Sequence, residues 1–203
     1  MAADYSALKT AVEFYCDRAD TADSTYDMFF RLACEKLNNA LRVPEMIDTL
    51  TLAGSSFPYQ DTNRDILEID SVYLTRGSNT YKLEYLPIDK LAAVQTNASG
   101  GTPRYFTTVG MRIDIGPEPA STDSIDIVYF LRQEYDLNDG GTNIFISYYE
   151  SIILYLMLGE MYQSLHDSTR SAEYKSMASA MLEEANLFAW KRRYAARLSI
   201  KNA

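Results

Sequence analysis

The period of the hydrophobic pattern changes twice along this chain, and that change limits the folds open to it. Apolar residues recur at helical spacing from about Tyr5 to Leu41, alternate from Ile47 to Arg132, and return to helical spacing from Ile146. The first stretch, about Tyr5–Cys16, places Leu8, Val12 and Tyr15 on one face. Asp23-Ser24-Thr25 then supplies good N-cap residues for a second helix. Its apolar face runs Tyr26, Phe30, Ala33, Leu37, Leu41, while Lys36, Asn38 and Asn39 fall on other faces and Pro44 lies beyond its end.

In the middle, Ile66–Tyr73 alternates apolar and polar as a half-buried strand does. Arg76-Gly77-Ser78-Asn79 reads as a turn leading to a hairpin partner, Tyr81–Tyr85. Pro87 sits at the start of a short helix through Asp89–Val94, and Asn97 to Pro103 is a Gly/Ser turn region. Strands Tyr105–Val109 and Met111–Ile115 join at Gly110, and Ser124–Leu131 puts Ile125, Ile127 and Tyr129 on one face. The chain then returns to helix. Ile152, Ile153, Leu154, Leu156, Met157 and Leu158 make the next helix apolar almost all round, as a central helix should be. A last helix from about Thr169 carries Tyr174, Met177, Met181, Ala185 and Phe188 as its stripe.

These patterns predict an α+β, mostly helical fold: a bundle of N- and C-terminal helices with an inserted small antiparallel β-sheet. The expected organisation is one domain over 1–203, with helices at about 4–42 and 146–194, a β-rich insertion at about 47–132, and a C-terminal arm at about 189–203.

Function classes fall away by composition. The longest near-unbroken apolar run, Ile152–Leu158, is far below the roughly 18–20 residues that span a bilayer, so no membrane role is expected. Met1-Ala2-Ala3-Asp4 has no basic residue and no apolar segment follows, so the expectation is a chain assembled in the cytosol without a signal peptide. Cys16 and Cys34 lie in amphipathic helices and read as small buried thiols. A metal site built on them needs further soft ligands, and His166, the single histidine, sits in a polar turn between helices. Gly140-Gly141 lacks a strand–glycine–helix phosphate motif, and Met157, Met161, Met177 and Met181 fall at core spacing. Carboxylates recur in strands: Glu68, Asp70, Asp114 and Asp126. They read as a solvated strand face rather than as metal ligands or an acid–base pair, since no partner nucleophile accompanies them. No enzyme emerges and no cofactor is expected.

What stands out is tyrosine, 16 of 203 residues, a type that suits subunit interfaces as well as cores. Charge is uneven too. Beyond Glu184 there is no acidic residue, while Lys191, Arg192, Arg193, Arg197 and Lys201 are all basic; the first 184 residues therefore hold 28 acidic and 14 basic side chains. So acidic a body does not wrap nucleic acid by neutralising phosphates.

The order of elements resembles the head-to-tail adaptor (connector) proteins of tailed bacteriophages, the short-tailed type above all. The resemblance covers nearly the whole chain. It rests on the helix pair ending in Ala33–Arg42, the strand Ile66–Leu74, and then Leu83-Glu84-Tyr85-Leu86-Pro87 and Pro103-Arg104-Tyr105-Phe106. Gly110–Pro119, Ile127-Val128-Tyr129-Phe130, the long apolar helix and the basic tail complete it. It implies a structural virion protein at the head–tail interface, a ring of twelve copies under the portal protein. Tail components (tail tube, nozzle or fibre proteins) would bind on the other side, and genomic DNA would pass along an axial channel without specific binding. It carries over no catalytic residue.

Within that frame Glu68, Asp70, Asp114 and Asp126 become candidates to line the channel, where like charge keeps phosphates from sticking. The portal-binding arm would comprise Trp190, Lys191, Arg192, Arg193, Tyr194, Arg197, Leu198, Ile200 and Lys201. Trp, Tyr and Arg dominate interface hot spots, and an extended Leu198-Ser199-Ile200 could add to a partner's sheet edge. A small cytosolic binding or regulatory domain, monomeric or dimeric, is the other reading the residues leave open.

Overall fold

Asp4 shows why the first helix starts where it does: its carboxylate accepts hydrogen bonds from the Ala7 N–H (2.8 Å) and the Ser6 hydroxyl (3.0 Å). The first of those bonds holds its pKa below the ordinary value. The computed structural model describes residues 4–17, 21–63, 65–97, 101–138 and 140–200. Helices are α1 (Tyr5–Cys16), α2 (Asp23–Ala40), α3 (Ile88–Asn97), α4 (Ile144–Ser164) and α5 (Ser168–Ile200). Strands are β1 (Ile47–Ala53), β2 (Tyr59–Gln60), β3 (Ile66–Arg76), β4 (Asn79–Tyr85), β5 (Tyr105–Val109), β6 (Arg112–Gly116) and β7 (Ser124–Leu131). The fold is α+β and mostly helical, and it divides into two compact units: residues 1–46 with 133–203, and residues 47–132.

In the helical unit α4 packs against α1, α2 and α5. The predicted face of α2 is buried throughout, from Tyr26 to Leu41. Asn38 corrects the prediction, because it is fully buried rather than on a solvated face. Its side-chain nitrogen donates to the Gln133 carbonyl and its oxygen accepts from the Gln133 N–H, both at 2.9 Å. A buried amide is tolerated there because its bonds are made. The start of α2 differs as well. Ala22 holds the cap position with no side-chain bond, and Asp23 is the first helical residue, paired with Lys9. Leu8 and Val12 of α1 are buried, but Tyr15 overhangs the last turn and is exposed. Tyr5 joins the core in its place, with its ring 4.9 Å from that of Phe30.

Helix α4 starts two residues before the predicted Ile146, capped by Asn143, whose side chain accepts from the Ile146 N–H (2.9 Å). Its 21 residues and mean hydropathy of 1.3 satisfy the length and composition of a membrane span, unlike the short run counted in the sequence. Half of that stretch is buried by neighbouring elements, which gives a core helix the same composition. His166 lies in the α4–α5 turn with φ 60°, as the sequence predicts for the connection. The stripe of α5 needs correction. Met177 and Phe188 are exposed, and up to Arg192 the buried positions are Ser171, Ala178 and Ala189. Small residues let α5 approach α4 closely: the Ser171 hydroxyl donates to the Gly159 carbonyl (2.8 Å), and a Cβ on Gly159 would come within 2.8 Å of Lys175 Cγ.

The sheet unit runs in the order β1-β7-β3-β4-β5-β6-β2. One apolar cluster takes Val72, Leu74, Leu83, Phe106, Ile113, Ile115, Ile125, Ile127 and Tyr129, so strands far apart in that order share one core and the sheet curls around it. Register shifts in β3 between Ile66 and Glu68 and between Ile69 and Ser71 add the twist that curling needs. Hairpin turns at Gly77 and Gly110 both take φ 61°, a value that favours glycine. The sheet is antiparallel except at β4 and β5, which pair in parallel. The intervening α3 explains this, since parallel neighbours require a crossover and helices usually supply it. Pro87 precedes that helix rather than beginning it, and its carbonyl accepts from the Lys90 and Leu91 N–H groups.

Candidate interaction surfaces

The 33 residues of α5 span about 50 Å, far more than its partner α4 can cover. The second half therefore presents side chains outward: Leu187, Phe188 and Trp190 are each more than half exposed. Lys191 lies over the Phe188 ring, with its Nζ 5.7 Å from the centroid. A groove of about 360 Å³ runs beside this stretch, between Tyr148, Tyr149 and Ile152 of α4 and Met181, Ala185 and Phe188 of α5.

Polar side chains fix the root of this surface. Asn186 donates to the Ala40 carbonyl (2.9 Å) and accepts from the Arg42 N–H (3.0 Å), closing the open end of α2. Arg192 donates twice to one oxygen of Glu45, at 2.8 and 2.7 Å. Glu45 also accepts from the Tyr149 hydroxyl (3.4 Å), whose pKa is pushed up to about 12, first by burial and then by the Glu45 charge. Of the predicted arm, Trp190 and Lys191 are exposed and Arg192 is anchored. Arg193, Tyr194, Arg197, Leu198 and Ile200 continue the helix, and Lys201 lies outside the described residues. The extended reading of Leu198-Ser199-Ile200 is corrected: the helix runs through Ile200, carried by good helix formers such as Ala195, Ala196, Arg197 and Leu198.

The four strand carboxylates do not gather at one point. Asp126 on β7 accepts from the Thr51 hydroxyl (2.6 Å). Asp114 on β6 is nearly buried and accepts from the Arg112 guanidinium (2.6 Å). Glu68 and Asp70, both on β3, line a cleft of about 1020 Å³ together with Asp61 and Glu84. The floor of that cleft is apolar, with Leu83, Phe106 and Ile113, and Tyr85 packs edge-on to Phe106 at 5.7 Å.

Reasoning from sequence did not single out this cleft, because it forms where β4 leaves β3 for β5, a non-local event. It also missed the exposed Phe14, Met28, Leu32 and Tyr148. Their signal was present as apolar residues off the helical stripes.

Chemistry-bearing groups are otherwise tied down. Cys34 is fully buried and burial pushes its thiol up to about 12, leaving it a poor nucleophile at neutral pH. Cys16 is half-buried, and burial raises its pKa too. Among the described residues no group of three or more His, Cys, Asp or Glu side chains could hold a metal ion.

The family model described as SU10 adaptor protein matches residues 3–201. No curated protein matches the chain.

Proposed function

The chain belongs to the SU10 adaptor protein family, a head-to-tail adaptor family of tailed bacteriophages, and on that premise we propose that it forms a ring beneath the portal protein that joins the DNA-filled head to the tail. Membership makes it a structural component of the virion at the head–tail junction that contacts head and tail proteins. The finer reading adds that both compact units act as one subunit in a ring of twelve copies, assembled in the host cytoplasm, in a phage of the short-tailed type. Tail tube, nozzle or fibre proteins dock below. The genome passes through an axial channel whose wall is acidic. The balance of 28 acidic against 14 basic residues in the first 184 supports that wall, with Glu68 and Asp70 better exposed to serve in it than Asp114.

The observation that carries the portal contact is the second half of α5. There Phe188 and Trp190 stand exposed next to a run of basic residues, while the Arg192–Glu45 pair and the Asn186 cap hold the helix in place. Aromatic and arginine side chains on a pre-ordered element bind at low entropic cost. A chain ending after Trp190, first checked for native circular dichroism, is expected to lose docking on purified portal rings. Undiminished docking of that folded, shortened protein removes the arm from the proposal. An assembled ring with a predominantly basic lumen removes the acidic channel.

A further inference from the structure

We propose that the groove between α4 and α5 seats an amphipathic α-helix of the portal protein, one with apolar side chains at i, i+4 and i+7 and lysine or arginine beside them. A break in α4 shapes the groove. Helical geometry lapses at Tyr149 (φ −131°, ψ 28°), which sets the first turns, with Tyr148, at an angle to the rest. On the α5 side Ala185 is too small to fill the space that results, about 360 Å³. The break is anchored. The Tyr149 hydroxyl donates to Glu45, and the same carboxylate accepts from Arg192, so the bend of α4 and the second half of α5 share one tie. A groove fixed in advance costs little to order on binding.

The walls select the guest. Tyr148 and Ile152 stand four residues apart on α4, and Met181, Ala185 and Phe188 stand at i, i+4 and i+7 on α5. Ridges at that spacing accept the side chains of a third helix. Residues 181–188 rise about 10 Å, two turns, which matches guest anchors at the same spacing. Both walls are helices that bond their main chains internally, so an extended segment would find no row of open main-chain groups there. The acidic side chains on the lining are Glu150 and Glu184, and no lysine, arginine or histidine joins them. Neither carboxylate has an ion pair or hydrogen bond among the described residues. Lys191 lies beyond them with its Nζ over the Phe188 ring, so the guest's cations belong at the other end, beside the two glutamates. The inference rests on the portal reading for the source of the helix, and on the groove alone for its chemistry.

The probe is a synthetic alanine-based peptide of about 18 residues with leucines at that spacing and lysines beside them. Its counterpart carries glutamates in place of the lysines. Full-length protein is titrated with each, and binding is read by anisotropy and by amide hydrogen exchange. The lysine peptide is expected to bind, to slow exchange over residues 147–152 and 181–188, and to compete with purified portal rings for the protein. Glu184→Lys and Glu150→Lys, both at exposed positions, are each expected to weaken it about tenfold. Equal binding of the glutamate peptide, unchanged affinity in both variants, or no binding overturns the proposal. So does portal docking left undiminished by saturating peptide, which would place the portal helix elsewhere. Protection of the groove that grows with protein concentration alone makes a second copy the occupant and overturns it too. A protein that binds the lysine peptide but docks on no portal ring refutes the portal reading, while the groove's choice of a basic helix stands.

Discussion

The two units tie distant pieces of chain together by different means. The helical unit joins residues from both chain ends, and where its helices meet loops it uses side chains as surrogate backbone. Asn38 bonds both main-chain groups of Gln133, and Asn186 bonds the main chain at Ala40 and Arg42. Along the ladders of the sheet unit strand neighbours satisfy one another, and a side chain serves the main chain at the start of β3, where the Asp61 carboxylate accepts from the Ile66 N–H (3.1 Å). A charged link lies at the end of the β3–β4 hairpin. Asp123 accepts from Arg76 Nε (2.7 Å), Arg76 Nη2 (2.6 Å) and the Ala120 N–H (2.9 Å). Helical assembly from distant segments thus adds uncharged amide clamps to its ion pairs, whereas the sheet buries a charged knot at Asp123.

The largest expected effect tests that knot. The Asp123 carboxylate is fully buried, so Asp123→Ala removes three charge-assisted bonds and is expected to cost about 2–3 kcal/mol in urea unfolding. The hydrogen bonds from Arg76 hold its pKa below the usual carboxylate value of 3.8. A depressed folded-state pKa contributes stability above the unfolded value that is lost as pH falls from there toward the folded one. Acid unfolding of the sheet unit should therefore begin near pH 4, and Asp123→Asn should flatten that limb. An unchanged acid limb in the variant would show that the knot does not distinguish the sheet.

Next in size is the amide clamp. Asn38→Ala deletes two buried hydrogen bonds and is expected to cost about 2 kcal/mol, while the exposed neighbour Asn39→Ala should stay within about 0.5 kcal/mol. Equal losses at the two positions would erase the contrast between the units.

A smaller effect is expected at Glu160, which links α2 and α5 to α4 through Lys36 (2.6 Å) and Lys175 (3.2 Å). Burial acts to raise its pKa, but the two lysines outweigh it and the net shift is downward. Glu160→Gln is expected to cost about 0.5–1 kcal/mol, less at high salt because both lysines are partly solvated. Its contribution also fades as pH falls below the ordinary carboxylate range. A loss insensitive to salt would make this a packing effect instead.

These polar links mark the limit of what the sequence made legible. Apolar periodicity located α1, β7 and the buried face of α2, since burial of a repeating stripe is a local property of the chain. Asn38 was misplaced because its burial depends on Gln133, 95 residues away. Met177 and Phe188 were misplaced because α5 buries small residues, Ser171, Ala178 and Ala189, in place of its large apolar ones, with Ser171 set close against Gly159 of α4. The parallel β4–β5 pair needed a topological step beyond recognising α3 as a helix. Of the candidate surfaces, the aromatic and basic end of α5 could be read from composition. The cleft could not, since it exists only where two strands part.

The smallest prediction reverses the sign of the others. Thr107 on β5 is buried opposite Asp114 of β6, and its hydroxyl has no hydrogen-bond partner among the described residues. Asp114 does not serve it, being held by the Arg112 guanidinium on its own strand. A buried hydroxyl without a partner costs free energy, and valine offers nearly the same shape with strong strand preference. Thr107→Val is therefore expected to raise stability by about 0.5 kcal/mol, read as a higher urea midpoint at unchanged slope. If the variant is destabilised instead, the hydroxyl is satisfied in solution. The sheet unit would then hold a further buried polar link beside Asp123, and the contrast with the amide-clamped helices would narrow.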